Sequence, residues 1–363
     1  MISWSKNYLI NGDMAIAQRG TSFTVNYSTL TNAFPSDRFS YGLIGVPTVN
    51  PAHTVSRASL STSDMPYKLG LRYTSRVEAT TIGTFGTTST GAYLRYPVEG
   101  SDFASIAQKT VNISFWFKSS RAISFNIFLQ NTGNNRGYLK TLTVASANVW
   151  QEFSFSVDFK TGTSAGSWTY DTTNRGVAIG IAPILTGATW DGSEGWQSAQ
   201  VFLTSSVRSN NLFQANGDYF EITGIRLTEG AEKQPYRKAG GSYAGELALC
   251  QRYCVVYGGS GSISAIGAHG VANDTSEWTA SMSLPVTMRA TPTLVTQGVA
   301  SDYVLRTAAG VNTTLTSLPT IFRSNNKMIL LDTVITSALV AGRSYFLADN
   351  STTAAKLILD AEI

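Results

Sequence analysis

The residues of this sequence best suited to chemistry are aromatic side chains in a turn-rich stretch. Residues 161–197 are rich in Gly, Ser and Thr and contain Trp168, Tyr170, Trp190, Asp191 and Trp196. An exposed aromatic ring can stack on the C–H face of a sugar while polar neighbours bind the hydroxyl groups, and the same ring can instead cover a β-sandwich core. The stretch therefore predicts a glycan platform, with core cover as the alternative.

A second group of the same kind lies in the last third of the chain. It comprises His269, Asn273, Asp274 and Trp278. This group also predicts a polar and aromatic loop cluster that could bind a glycan, and the same alternative applies because a Trp more often covers a core.

The common catalytic patterns are missing from the sequence. Only two histidines are present, Gly258–Gly261 reads GGSG and is not a nucleophile elbow, and there is no phosphate-binding loop. A glycosidase needs two carboxylates beside one sugar, but nothing in the sequence pairs any two of the candidates Glu99, Asp102, Asp191 and Glu194. We therefore expect a protein that is not an enzyme and has no catalytic cofactor.

The two cysteines, Cys250 and Cys254, lie one turn apart if the segment is helical. A zinc site would need more ligands than the two distant histidines can supply. A disulfide across a helical turn is geometrically awkward. The pair is therefore predicted to be two reduced, apolar residues.

Composition and charge exclude several classes of protein. Hydrophobic residues make up 43% of the 363 residues and charged residues only 14%, which is typical of β-sandwiches and not of disordered chains. The 27 Lys and Arg residues and 23 Asp and Glu residues are scattered, so nucleic-acid binding is not expected. No apolar run is long enough for membrane insertion. We see no signal peptide and expect synthesis and folding in a cytoplasm.

Alternating apolar residues predict the elements that must position these side chains. Val111–Lys118 and Trp150–Phe159 alternate with period 2, so Phe115, Phe117, Phe153 and Phe155 should be buried between two sheets. Some ten to twelve short strands without intervening helices predict an all-β chain with an N-terminal jelly-roll β-sandwich. The strands after residue 254 predict a smaller C-terminal antiparallel β-sandwich.

A domain boundary is predicted between a strand and a short helix. Tyr219–Leu227 has a strand pattern, Glu229–Gly245 is rich in Gly, Pro and charge, and Gly245–Cys254 has a helical pattern. The sequence thus predicts a first domain over residues 1–228, a linker over 229–245 and a second domain over 246–363.

Several segments resemble tailed-phage and prophage virion proteins, chiefly tail fibres and receptor-binding proteins with a jelly roll like that of carbohydrate-binding modules. The segments that carry the resemblance are NYLINGDMAIAQRGTSFT from Asn7, SDRF at Ser36–Phe39, NISFWFKS at Asn112–Ser119, FEITGIRLTEG from Phe220, ELALCQRYC from Glu246, LPVTMRATPT at Leu284–Thr293 and the final LILDAEI. They occur in the order found in that family and cover nearly the whole chain. None is a catalytic motif.

The resemblance implies a virion protein of the tail, made in the host cytoplasm, that attaches to a bacterial surface polysaccharide and contacts other tail or baseplate proteins. A structural capsid or tail decoration protein without a ligand is the main alternative, and a glycan-depolymerising tailspike is the third.

The resemblance has two further implications, for metal binding and for assembly. Asp13 in the NGDM segment could bind a structural calcium together with Asp218 or Glu221 of the closing strand, or could simply cap a turn. Such proteins are usually homotrimers, and residues 246–363 are the predicted assembly region, with Leu247, Leu249 and Tyr253 packed around the axis.

Overall fold

A computed structural model describes residues 5–26, 32–45, 47, 49–83, 90–259, 265–336 and 338–363. The chain divides into two compact units, the first containing residues 1–247 with Ile363 and the second containing residues 248–362. Apart from one short parallel pair of strands, both units are built of antiparallel sheets, which confirms the predicted all-β class.

The first unit is a jelly-roll β-sandwich of two large sheets. The six-stranded sheet has the order β1 (Ser22–Asn26), β4 (Ala52–Ser59), β5 (Tyr73–Thr81), β15 (Tyr219–Glu229), β7 (Thr110–Ser119), β10 (Gln151–Asp158). The seven-stranded sheet has the order β13 (Gly195–Gln197), β9 (Gly137–Thr143), β8 (Ser124–Asn131), β11 (Arg175–Thr186), β6 (Thr90–Glu99), β3 (Phe39–Ile44), β2 (Ala33–Ser36). Neighbouring strands are often distant in sequence, so long-range pairing holds the unit together.

Short elements connect these strands. They are a parallel pair, β12 (Asp191–Gly192) and β14 (Leu203–Thr204), and four single-turn helices, α1 (Met65–Lys68), α2 (Gly100–Ala104), α3 (Phe159–Gly162) and α4 (Ser205–Arg208).

The core of the first unit is aromatic, as the alternation on β7 predicts. Phe115, Phe117 and Phe155 are buried. The Phe117 ring lies 4.2 Å from that of Phe125 on β8 and nearly parallel to it, so this stack joins the two sheets. Phe153, near the start of the edge strand β10, is only half-buried, contrary to expectation.

Residues 229–245, predicted to be a linker, lie within the first unit. Within them, the segment 231–240, which we call the strap, packs against that unit. Asn112 Nδ2 donates to the Ala231 carbonyl at 2.9 Å, Asn7 Nδ2 donates to the Arg237 carbonyl at 3.1 Å, and Lys238 forms an ion pair with Asp13. Tyr236 packs against a small cluster of Leu60, Leu71 and Trp150.

The second unit is a smaller antiparallel sandwich. Its first sheet has the order β16 (Cys254–Gly258), β25 (Lys356–Asp360), β19 (Thr293–Gln297). Its second sheet has the order β21 (Asn312–Thr314), β20 (Tyr303–Arg306), β24 (Ser344–Asp349), β17 (Ala265–Ala272), β18 (Glu277–Ser283), β23 (Met328–Val334), β22 (Thr320–Ser324). Residues 300–302 form a 3-10 turn, and both sheets contribute to one apolar core.

The predicted helix near residue 250 is α5 (Tyr243–Gln251), and the boundary between the two units falls inside it. Cys250 and Cys254 are both buried thiols. They do not share a helical face, because the helix ends at Gln251 and Cys254 begins β16.

Candidate functional site

Two of the predicted platform residues, Trp168 and Tyr170, rest on one buried ring. The Trp168 ring centroid lies 5.1 Å from that of Phe103 with an interplanar angle of 16°, and Tyr170 lies 5.9 Å from it at 14°. Phe103 is fully buried, Trp168 is half-buried and Tyr170 is 48% exposed. We call Phe103, Trp168, Tyr170 and the adjoining Trp196 the aromatic shelf.

Two glycines allow Phe103 and the loop after Ser167 to lie this close. A Cβ on Gly176 would be 2.4 Å from the Phe103 Cβ, and a Cβ on Gly100 would be 2.5 Å from the Asp171 carbonyl oxygen. The Gly100 N–H also donates to the Asn174 carbonyl at 2.9 Å. The loop that carries Trp168 and Tyr170 is therefore fixed against α2 at its backbone.

Trp196 supports the shelf from the side. Its ring meets that of Trp168 edge-on at 6.0 Å, and its indole N–H donates to the Asp158 carbonyl at 2.9 Å. A Cβ on Gly162 would be 2.4 Å from the Trp196 ring, so this ring lies directly over the α3 backbone. Trp196 is thus half-buried and positions Trp168, while Tyr170 offers the larger exposed surface.

A carboxylate stands next to the shelf in sequence. Asp171 follows Tyr170, is exposed, and accepts hydrogen bonds from the side chain and the backbone N–H of Thr173. These bonds lower the pKa of the Asp171 carboxyl below its ordinary value. The carboxylate is consequently ionised at neutral pH and can accept hydrogen bonds from hydroxyl groups.

Trp190 and Asp191 belong to a different part of the first unit. The Trp190 ring packs edge-on against Phe202 at 5.5 Å, within a core cluster that includes Phe128 and Leu139. Asp191 forms an ion pair with Arg208, whose Nε donates to both carboxylate oxygens at 2.8 and 2.9 Å. The structure therefore assigns Trp190 to core cover and Asp191 to an ion pair.

The predicted cluster in the second unit is not one site. Trp278 is fully buried in the core, so the prediction that it is a stacking platform is wrong; it points inward with Ala280 and Met282 on β18. His269 is exposed beside Phe346, at 5.7 Å between ring centroids. Asp274 caps a turn by accepting from the Ser276 and Glu277 N–H groups, which lowers the pKa of its carboxyl.

The carboxylates named for calcium are each engaged by cations. Arg121 Nε donates to Asp218 at 2.7 Å, Arg76 and Lys118 both contact Glu221, and Lys238 contacts Asp13. Within the described ranges, no three His, Cys, Asp or Glu side chains come together as metal ligands. The suggestion of one calcium site shared by these three residues is therefore not supported by their placement.

The carboxylates considered for glycosidase chemistry are also engaged separately. Ser101 donates to Glu99 at 2.9 Å, Lys6 contacts Asp102 at 2.7 Å and Lys140 contacts Glu194 at 3.2 Å. Asp191, the fourth of these carboxylates, pairs with Arg208. Each of the four therefore has a partner of its own.

Of the residues predicted to pack around an assembly axis, Tyr253 is buried inside the second unit and is unavailable for that role. Leu247 and Leu249 on α5 are half-buried. A trimer would therefore need other apolar surface.

Sequence reasoning missed Phe103, the base of the shelf. It lies in a single-turn helix, where neither the period of a strand nor that of a helix marks an apolar residue as buried. The local signal is Gly100, the first residue of this turn, which permits the close approach of the loop.

No helix in the described part of the chain has the length and apolar character needed to cross a membrane. No family model and no curated protein sequence matches the chain.

Comparison with solved structures returns similarities of low identity. They include the carbohydrate-binding module TmCBM61 in complex with β-1,4-galactotriose, with 10% identity over 62% of this chain and 100% of that chain and a TM-score of 0.28. Another is the family 11 carbohydrate-binding module of the cellulase Lic26A-Cel5E of Clostridium thermocellum, with 12% identity over 62% and 96% and a TM-score of 0.25. A third is the enzymatically active domain of tailspike protein 4 of bacteriophage CBA120, with 9% identity over 62% and 21% and a TM-score of 0.32. The first unit has the strand order of a jelly roll, independently of these similarities.

Proposed function

We propose that this chain is a non-enzymatic glycan-binding protein and that the aromatic shelf is its binding surface. The observation that carries the proposal is the pair of rings, Trp168 and Tyr170, stacked on the buried ring of Phe103. Because Phe103 and Trp196 already hold these rings, little side-chain entropy is lost when a sugar stacks on them. Asp171 adds a charged acceptor for hydroxyl groups beside the shelf.

We expect Tyr170→Ala to weaken glycan binding by roughly twofold to thirteenfold, because stacking on one ring contributes about 0.5–1.5 kcal/mol. A glycan array would select the ligand and calorimetry would measure the dissociation constant. Because Tyr170 is 48% exposed, the substitution should change the free energy of unfolding of the protein by only about 0.5 kcal/mol.

Trp190→Ala is the matched control for this experiment. Trp190 packs in the core against Phe202, so its removal should lower thermal stability and leave the affinity of the folded protein unchanged. If Tyr170→Ala binds as tightly as the unchanged protein, the shelf is not the binding surface.

In its finer form, the proposal is a receptor-binding virion protein of a phage tail that attaches to a bacterial surface polysaccharide and contacts other tail or baseplate proteins. The phage-like segments from Asn7 to Ile363 support this form. Labelling of virions with antibody against the chain should mark the tail, and the purified chain should bind host envelopes. Binding to no envelope fraction would favour a decoration protein, and release of reducing ends from the polysaccharide would favour a tailspike.

Several copies of a glycan-binding site that are presented together bind with higher avidity than one copy. We propose that this chain forms a homotrimer joined through the second unit. Supporting this, three strands of its larger sheet expose apolar residues: Phe322 on β22, Met328 and Val334 on the adjacent β23, and Val271 on β17, which β18 separates from β23.

We expect the double variant Phe322→Asp, Val334→Asp to shift the full chain from trimer to monomer in light scattering, because buried charge at an interface is unfavourable. Val149→Asp, at an equally exposed position of the first unit, should stay trimeric. A monomeric unchanged chain, or a trimer in all variants, would reject this interface.

A further inference from the structure

A groove on the outer face of the six-stranded sheet shares no lining residue with the aromatic shelf. Its volume is about 430 Å³, within the range of small-ligand pockets. Leu69, Leu71, Trp116, Glu152, Arg226, Lys233, Gln234, Pro235 and Tyr236 line it. All belong to the first unit.

Neighbouring strands form the floor of the groove. Trp116 on β7 lies opposite Glu152 on β10 and opposite Thr223 on β15. The pairing of β15 with β7 then shifts between Thr223 and Arg226, which marks a β-bulge. Bulges re-aim side chains, and this one coincides with Gly224 at a φ of 63°. The Arg226 side chain thereby reaches Glu152 at 2.5 Å.

Three charged side chains of the groove differ in how far they are exposed to solvent. Arg226 is nearly buried, with 4% of its side chain exposed, Glu152 is 23% exposed and Lys233 on the strap is 45% exposed. Glu152 accepts from Arg226 through one oxygen and from Lys233, at 2.6 Å, through the other. Burial opposes ionisation of Glu152, but the hydrogen bonds from Lys233 and Arg226 outweigh it and lower its pKa.

The three side chains leave one positive charge in excess, since two cations share one carboxylate. The groove therefore favours an anion over a neutral or cationic ligand.

The walls of the groove are apolar. The lining includes Leu69, Leu71, Pro235 and Tyr236 together with the half-buried Trp116. A ligand that fits must present an apolar face as well as negative charge. Sugar rings carry a C–H face, and their hydroxyl groups can donate to a carboxylate such as Glu152.

We propose that this groove is a second ligand site that binds one acidic sugar unit of a polysaccharide, with the ring on Trp116, a hydroxyl on Glu152 and the carboxylate on Lys233. An acidic sugar uses the aromatic ring, the acceptor and the excess cation together. A neutral sugar leaves the excess charge unmatched, and a simple carboxylic acid leaves the ring unused. The site is independent of the shelf.

The test compares trigalacturonic acid with its methyl ester, which keeps the rings and removes the charge. In NMR titrations of the full chain at low salt, the acid should shift the Trp116 indole N–H signal and bind about tenfold more tightly than the ester. The preference should fall in 0.5 M NaCl because salt screens the ion pair. Acetate at the same concentration should leave the Trp116 signal unchanged.

Lys233→Gln should remove most of the preference for the acid. Its matched control is Lys109→Gln, because Lys109 forms a similarly exposed ion pair with Glu229 outside the groove and its loss should leave the preference intact. Any one of four results would overturn the proposal. They are equal affinity for the acid and the ester, a Trp116 signal that the acid does not shift, a shift of that signal by acetate as large as the shift by the acid, and a Lys233→Gln variant that still prefers the acid. The Tyr170→Ala variant should bind trigalacturonic acid at the groove with unchanged affinity. Failure of the shelf proposal can therefore be distinguished from failure of the groove proposal.

Discussion

Shortening Phe117 to alanine should destabilise the first unit by about 3–5 kcal/mol, the usual cost of removing a buried phenylalanine ring. Phe117 is fully buried and its ring stacks on Phe125 at 4.2 Å and on Phe220 at 5.6 Å. The substitution therefore leaves a cavity where the two sheets meet, and dispersion contacts are lost on both sides of it.

Native-state hydrogen exchange of the full chain would measure this effect, because amides of β7 and β8 report on the first unit even if the two units unfold separately. Phe153→Ala is the matched comparison, because Phe153 is half-buried on the edge strand β10. This substitution should lower the free energy of unfolding clearly less than Phe117→Ala does. Equal losses of stability at the two positions would show that Phe117 is no more central to the core than Phe153.

The stability of the first unit should fall as the pH is lowered from about 6.5 to 4, because of His53. This side chain is buried, and burial lowers its pKa from 6.5 to about 4. Tyr41 Oη lies 2.6 Å from its Nδ1, and its Nε2 has no hydrogen-bond partner in the described part of the chain. Above pH 6.5 both the folded and unfolded forms are neutral. Below it the unfolded form binds a proton that the folded form does not. The loss of stability should reach about 2 kcal/mol by pH 5 and about 3 kcal/mol near pH 4.

His53→Gln should flatten this pH dependence, whatever it does to stability at pH 7.5, because glutamine does not titrate. His269→Gln provides the control, since His269 is the other histidine and is exposed on β17. Urea denaturation at several pH values would give the slopes. A His53→Gln variant with the slope of the unchanged protein would show that other groups cause the acid sensitivity.

The sequence predicts those features that depend on local pattern. Alternation along β7 correctly places Phe115 and Phe117 in the core. Alternation along β18 likewise places Trp278 with Ala280 and Met282 on the inner face, so the strand pattern predicted from Trp278 onward already favours the burial of Trp278 over its place in a loop cluster.

Features that depend on register and on long-range packing could not be predicted in this way. Glu152 and Arg226 meet only because β10, β7 and β15 are neighbours and because a bulge shifts one of them. Phe103 supports Trp168 across a loop that no periodicity links to it. Residues 229–245 have the composition of a linker, yet the strap within them packs against the first unit.

The central position of β15 also has a consequence for the nascent chain. This strand, Tyr219–Glu229, is the last of the first unit to be made, yet it lies between β5 and β7 in the six-stranded sheet. Until the ribosome has released it, β5 and β7 each have an unpaired edge, and unpaired edges invite association with other chains. The Tyr8 N–H donates to the Leu227 carbonyl at 2.9 Å, so this hydrogen bond also cannot form before β15 has been made. The first unit can therefore complete its six-stranded sheet only after β15 has left the ribosome, through contacts far apart in sequence.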